Sequence, residues 1–178
     1  MQGLEILDLV PLVGTGKLQS IAELYQDIFR EPPWKEELSI SRVLATMEEQ
    51  FTKPFIVALG AFWREAAIGF AWAYEFFETD LKEGTRFSPA LEPYFLQGRI
   101  FYLQEIGVLK ALRKQGVGEE LGRMVLRVGK EKGAGMFILS TNGKAIGATH
   151  LFRKMGFVDS GIVRPPAELG RTYWVLEL

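Results

Sequence analysis

The chain of 178 residues has no cysteine and a single histidine, His150. Without thiols there is no disulfide, no thiolate metal site and no cysteine nucleophile, and one imidazole is a poor start for a histidine metal site, so no metal is expected. Charge of one sign is also missing. Lys and Arg number 21 against 22 Asp and Glu, leaving no field to address nucleic acid or an anionic membrane. No apolar run nears the ~20 residues of a membrane-spanning helix. The opening stretch MQGLEILDLV lacks a basic lead and carries Glu5 and Asp8 within its apolar run, so it reads as a strand rather than a signal peptide. A cytoplasmic location is the expectation. Length and apolar content suit one soluble domain over residues 1–178.

Leu4 to Val10 reads as the first strand, followed by a helix with Leu18, Ile21, Tyr25, Ile28 and Phe29 on one face, ending before Pro32-Pro33. A second helix is expected over Glu37–Phe51 with Ile40, Leu44, Met47 and Phe51 inward. Trp34 lies between them, as a packing plug or as a wall of a substrate site. Two strands follow, Phe55–Phe62 and Ala66–Phe77, joined by a short turn. In the second, alternation places Ile68, Phe70, Trp72 and Tyr74 on one face and Ala67, Gly69, Ala71 and Ala73 on the other, where a helix can pack closely. Residues 75–99 then break the pattern and read as an insertion whose acids, Glu75, Glu78, Asp80 and Glu83, would either attract a cationic amine or form a solvated cap.

The stretch from Phe101 to Lys132 carries the strongest functional signal. An apolar strand interrupted by Gln104 and Glu105 runs into Arg113-Lys114-Gln115-Gly116-Val117-Gly118 and then an amphipathic helix. Gly116 and Gly118 allow a tight turn that converges N–H groups at the positive end of a helix, and Arg113 and Lys114 add full charges, so the loop is expected to hold an anion. A dinucleotide fingerprint fails because the third glycine, Gly122, comes one place late. A P-loop at Gly14-Thr15-Gly16-Lys17 fails because Pro11 and Leu18 occupy required glycine and hydroxyl positions. Downstream, Met136–Thr141 reads as a buried strand, Ala145–Lys154 as a helix stopped at Gly156, and Phe157–Val163 with Thr172–Leu178 as a closing pair.

Val108, Arg113, Gly116 and Gly118 fall in the register of the pyrophosphate-binding motif of GCN5-related N-acetyltransferases (GNAT), and the chain resembles that superfamily. Leu139-Ser140-Thr141-Asn142, with Ala148, Leu151, Phe152 and Lys154-Met155-Gly156-Phe157, resembles the family's strand–helix–Gly-Phe ending. The resemblance is close over the C-terminal half. It implies an α+β fold: a mixed, mostly antiparallel twisted sheet with helices on both faces and splayed central strands, the 75–99 insertion preceding the central one. It also implies acetyl-CoA as cosubstrate, held by Ile106, Gly107 and Val108, by the loop Arg113, Lys114, Gln115, Gly116, Val117 and Gly118, and by Asn142 and Phe152. Gly107 is expected to mark a bulge in the central strand.

Direct acetyl transfer needs a neutral amine, a polarised thioester carbonyl and a proton for the leaving thiolate. The resemblance nominates Glu105 as the base, with Glu75 in reserve; burial would raise its pKa toward neutrality. Phe152 stands where relatives commonly have a tyrosine acid, so Tyr173, Tyr102, His150 or a water would have to replace it, or the thiolate leaves unassisted. Glu75, Glu78 and Trp34 are the candidate acceptor contacts, the acceptor being an amine of a small molecule or peptide. A non-catalytic acyl-CoA sensor, or a pseudoenzyme with its groove occluded by the insertion, is the alternative. Oligomeric state stays open, a homodimer among the options.

Overall fold

The computed structural model describes residues 3–82 and 87–178; the expectations for Glu83 and Gly84 fall outside that range. Seven strands form one sheet in the order β1-β2-β3-β4-β5-β7-β6. They are β1 (Leu4–Asp8), β2 (Val57–Trp63), β3 (Ala66–Phe76), β4 (Ile100–Val108), β5 (Met136–Asn142), β6 (Val158–Val163) and β7 (Arg171–Glu177). Every pairing is antiparallel except β4 with β5. Helices α1 (Gly16–Arg30) and α2 (Ile40–Phe51) cover one face, together with the short α3 (Thr79–Lys82) and the 3-10 turns of Pro89–Gln97. Helices α4 (Val117–Glu131) and α5 (Ile146–Met155) cover the other.

The first strand is shorter than expected because Val10-Pro11-Leu12 turn into a 3-10 helix, where proline cannot serve a ladder. Helix α2 starts later than expected, at Ile40. Ser39 caps it, its hydroxyl accepting the Arg42 N–H at 3.2 Å. Val43, Met47, Gln50 and Phe51 are its buried positions, with Ile40 and Leu44 only half-buried.

Two bulges correct the expected alternation. In β3, Ala61 pairs with Gly69 and Phe62 with Ala67, leaving Ile68 as an extra residue. Ile68 is thereby moved to the α4 side, while Ala67 packs with the α1 cluster. In β4, Glu105 pairs with Trp72 and Leu103 with Ala73, so the extra residue is Gln104. The expected bulge at Gly107 is not there. Gly107 pairs regularly with Phe70, and its missing Cβ makes room for that ring, since a Cβ would sit 2.5 Å from Phe70 Cζ.

The parallel pairing of β4 with β5 is confined to Ile100, Phe101 and Tyr102 against Met136, Phe137 and Ile138. Both strands continue beyond it, β4 held only by β3 and β5 only by β7. The sheet therefore parts in its middle, at Tyr102 and Ile138.

Small residues set how closely α4 approaches. A Cβ on Gly69 would meet Leu121 Cδ1 at 3.0 Å, and one on Gly129 would meet Phe137 Cζ at 2.3 Å. At Gly122 the obstacle is Met155 Sδ at 2.3 Å, near the end of a flexible side chain. Alanine gains about 1 kcal/mol over glycine in a helix, whereas overpacking a rigid core costs about 1–3 kcal/mol. Gly129→Ala is therefore expected to be destabilising and Gly122→Ala close to neutral, as read from urea midpoints; equal midpoints for the two variants would contradict the packing described.

Candidate functional site

The parting of β4 and β5 leaves an opening through the sheet, and its two faces carry different chemistry. On the α4 face lies the turn between β4 and α4. Lys114 and Gly116 both have positive φ, 63° and 90°, a curl that points successive amides inward. Among the described residues, no protein acceptor takes the N–H of any residue from Lys114 to Glu119. The first intrahelical acceptor is the Gly116 carbonyl, which receives the Glu120 N–H at 2.9 Å. These are the orphan donors of a helix N-terminus, gathered by the glycine turn into an anion-sized concavity. Gly118 serves packing as well, because a Cβ there would lie 3.2 Å from Val108 Cγ2 and 3.3 Å from Leu151 Cδ2. Val117 contributes its backbone only, its side chain being buried in the core. A groove of about 520 Å³ runs from Gly116 along Glu120, Arg123 and Arg127.

Two cations beside this turn, Lys110 and Arg113, are already engaged. Arg113 Nε donates to the Val108 carbonyl at 3.1 Å and its Nη1 to Glu31 at 2.9 Å, while Lys110 Nζ lies 3.2 Å from the same carboxylate. Slight burial of Glu31 works in the opposite direction, but the hydrogen bonds from Lys110 and Arg113 hold its carboxyl below the ordinary value. Lys114 and Gln115 are exposed, the Gln115 amide reaching only the Ala111 carbonyl at 3.4 Å.

The exposed edge of β4 supplies backbone groups. The Leu109 N–H donates to the Ile68 carbonyl at 2.9 Å. Backbone groups alternate sides along a strand. Gly107 therefore also faces β3, whereas the N–H and C=O of Ile106 and Val108 face the opening.

On the α1 face the focus is Glu105. The bulge at Gln104 turns two consecutive polar residues to the same side, and both find partners. Tyr25 donates its hydroxyl to Glu105 Oε1 at 3.3 Å, Gln104 donates Nε2 to the same oxygen at 3.1 Å, and Tyr74 donates to Gln104 Oε1 at 2.8 Å. Burial raises the Glu105 pKa from 4.5 to about 7; the Gln104 hydrogen bond opposes this, the charge of Glu36 adds to it, and Tyr25 and Arg164 oppose it. Burial, reinforced by the charges of Glu105 and Glu36, pushes the Tyr25 hydroxyl far up, so it stays a donor. Beside Glu105 is a cavity of about 20 Å³ that Tyr25, Thr46, Gln50 and Trp72 help to line, room for one water with polar neighbours. Tyr25 was read in the sequence only as a core position, and nothing in its helical spacing marks it as polar in function. Gln50 is likewise buried, and accepts from Trp72 Nε1 at 2.6 Å.

At the parting point itself, Tyr102 and Ser140 bond across the gap at 2.8 Å, and Arg164 Nη1 donates to Ser140 at 2.6 Å. The segment between α1 and α2 reaches over this face. Glu36 meets Arg171 Nη2 at 3.4 Å, and half-buried Trp34 packs 5.9 Å from the Phe29 ring with the Arg171 guanidinium 5.2 Å from its own centroid.

The remaining sequence-nominated residues are placed elsewhere. Glu75 is buried on the α4 side and paired with Arg99 at 2.9 Å, so it does not share a face with Glu105. Glu78 is exposed at the start of the insertion, and Asp80 accepts the Phe77 N–H at 2.8 Å. Tyr173 is fully buried under the insertion, opposite Ser140, and its hydroxyl accepts the Ser88 N–H at 3.3 Å. Phe152 is a core residue against Phe157 and Trp174. Asn142 uses both ends of its amide locally, donating to the Leu169 carbonyl at 2.7 Å and accepting the Lys144 N–H at 2.8 Å. His150 is exposed on α5. Among the described residues no group of three or more acidic, histidine or cysteine side chains is placed to hold a metal, and no helix is long and apolar enough to cross a membrane.

The same architecture recurs in solved structures of low sequence identity. The NatC complex bound to Gag peptide and CoA contains a chain 15% identical, with a TM-score of 0.70 and 99% of each chain covered. An aminoglycoside N-acetyltransferase in complex with CoA is 20% identical, with a TM-score of 0.64 over 90% of this chain and 91% of that one. The putative acetyltransferase yncA from Salmonella typhimurium, solved with acetyl-CoA, is 14% identical, with a TM-score of 0.68 over 98% and 94%. None of the curated proteins compared by sequence matches. A family model described as Acetyltransferase (GNAT) family matches residues 18–157, and the chain is accordingly a member of the GNAT acetyltransferases.

Proposed function

We propose that the protein transfers the acetyl group of acetyl-CoA to a primary amine by direct attack in a ternary complex. The observation that carries this is the opening between β4 and β5, with an amide cradle at one face and a carboxyl of raised pKa at the other. The coenzyme diphosphate sits on the amides of Lys114–Glu119, and its nucleotide end lies along the groove beside α4. Its pantetheine arm enters the opening and pairs with the backbone groups of Ile106 and Val108, as an added strand would.

The amine approaches from the α1 face. At neutral pH it is mostly ammonium, so a base must take a proton before attack. Glu105 does so directly or through a water in the adjoining cavity. The amine nitrogen then bonds to the acetyl carbon, the C–S bond breaks, and CoA leaves as the thiolate. Glu105 already holds the ammonium proton, so the excess proton on the new amide passes to the departing thiolate or to solvent, and a thiol pKa near ~8.5 lets the thiolate depart without a dedicated acid. A tyrosine acid in place of Phe152 is unnecessary on this account. Tyr173 is fully buried, its hydroxyl turned to Ser88 under the insertion.

Two sets of variants test the scheme. Glu105→Gln is expected to lower kcat by about 10²–10³-fold while acetyl-CoA still stabilises the protein against heat. In the wild type kcat/KM should rise as pH passes through about 7, and Tyr25→Phe, which removes a hydrogen bond favouring the carboxylate, should move that midpoint upward. Stability shows the opposite trend. Because the folded-state pKa lies above the ordinary value, the Glu105 contribution is full below pH 4.5 and lost as pH rises through about 7. Unchanged turnover in Glu105→Gln would remove the base assignment.

For the cradle, Gly116→Glu places a carboxylate in the anion site at a position with φ of 90°. It is expected to weaken coenzyme binding by ~10-fold or more, at least ~1.4 kcal/mol. Arg113→Ala should cost less, its donors being already shared with Val108 and Glu31. Calorimetric titration with CoA reads both, and full affinity in folded Gly116→Glu would exclude the cradle.

A further inference from the structure

Arg164 lies where the two central strands part, yet it has no carboxylate partner among the described residues. Its Nη1 donates to Ser140 Oγ at 2.6 Å and lies 3.5 Å from the Tyr102 hydroxyl, and its guanidinium is 6.0 Å from the Phe87 ring centroid. These groups hold the side chain without neutralising it. A guanidinium has five N–H donors, and those on Nη2 and Nε have no protein acceptor among the described residues. A half-buried cation left unpaired is costly, whereas a fork of free donors fixed by two hydroxyls is preorganised for a carboxylate.

The neighbouring charges do not supply that carboxylate. Glu36 is paired with Arg171. Glu105 is near enough to feel Arg164, but its oxygen is shared by Tyr25 and Gln104. Two of the insertion's acids are engaged as well. Glu75 is neutralised by Arg99, and Asp80 is turned to its own backbone. Arg164 is thus a charge near Glu105 that no carboxylate of the described residues pairs.

Resting on the acetyl-transfer reading above, we propose that the acceptor is a primary amine that also carries a carboxylate, an amino acid or a short peptide. Arg164 grips the carboxylate beside Ser140 and Tyr102 while the amine meets Glu105. Ser140 and Tyr102 keep the guanidinium in place, so the anchor is preformed, and acceptor reach is set by the separation between Arg164 and Glu105.

The chain has no cysteine, so a thiol reagent reports released CoA without background from the protein. Free amino acids, dipeptides and tripeptides, each beside its C-terminal amide, are assayed with acetyl-CoA together with polyamines and aminoglycosides. The carboxylate forms should exceed their amides at least tenfold in kcat/KM. Arg164→Gln should collapse that difference mainly through KM, and Arg164→Lys should restore part of it. Turnover of amino acids but not peptides, or the reverse, identifies which of the two carries the anion. Equal turnover of acids and amides, or preference for polyamines, overturns the anionic acceptor and leaves acetyl transfer standing. CoA release from no amine overturns both. If Arg164→Gln loses the thermal stabilisation by acetyl-CoA expected of a folded variant, the acid–amide comparison in the wild type decides alone.

Discussion

A single extra residue in the central strand determines what this sheet can do. With regular alternation after Leu103, Glu105 would point to the α4 side, whose cluster is built from apolar residues such as Leu121 and Val125. The bulge at Gln104 shifts the register by one and turns Glu105 toward Tyr25. The same shift sends Ile106 and Val108 to the apolar side, where they pack with the α4 core. One local irregularity therefore satisfies a half-buried acid and completes the opposite core. The carboxyl it delivers is buried enough to be half-ionised near neutrality, yet hydrogen-bonded enough to remain tolerable.

The opening between β4 and β5 needs a brace, since two halves of a sheet joined over only three residue pairs would otherwise hinge. The segment between α1 and α2 supplies one. Glu31 grips Lys110 and Arg113 on the β4 side, and Glu36 with Trp34 grips Arg171 on the β7 side. Below the parting point the insertion adds a second clamp, burying Phe87 and Leu91 against Tyr102, Ile138 and Tyr173. The apparent loop of the sequence is thus a lid over the lower core, and its aromatics contribute more than its acids.

Much of this was legible in the chain. The strand and helix order and the glycine turn before α4 follow from periodicity, and the mixed sheet from the resemblance that Val108, Arg113, Gly116 and Gly118 carry. The two adjacent polar residues at Gln104 and Glu105 were the visible trace of the bulge, because strict alternation cannot place both favourably. Gly107 was the more conspicuous signal and misled, its function being to admit Phe70. Tyr25 and Arg164 could not be read as site residues. Tyr25 lies on the buried stripe of an ordinary amphipathic helix, and Arg164 follows a strand nearly 60 positions after Glu105. Only the fold brings them together, through side-chain geometry that no spacing encodes.

The contacts of Arg113 show how the turn before α4 keeps its shape. Adjacent cations repel one another, but Glu31 bridges Lys110 and Arg113 and offsets one of their two charges, and Arg113 Nε ties the turn to the Val108 carbonyl. The amides from Lys114 to Glu119 carry only partial charges and need no counterion to remain oriented. On the proposed reading, attraction for a diphosphate comes from backbone that folding has already positioned, while the arginine acts mainly as a strut between the glycine turn and the central strand. That strut ends on Glu31, at the start of the segment whose Glu36 pairs with Arg171, so one short stretch of chain ties the β4 side of the parting to the β7 side.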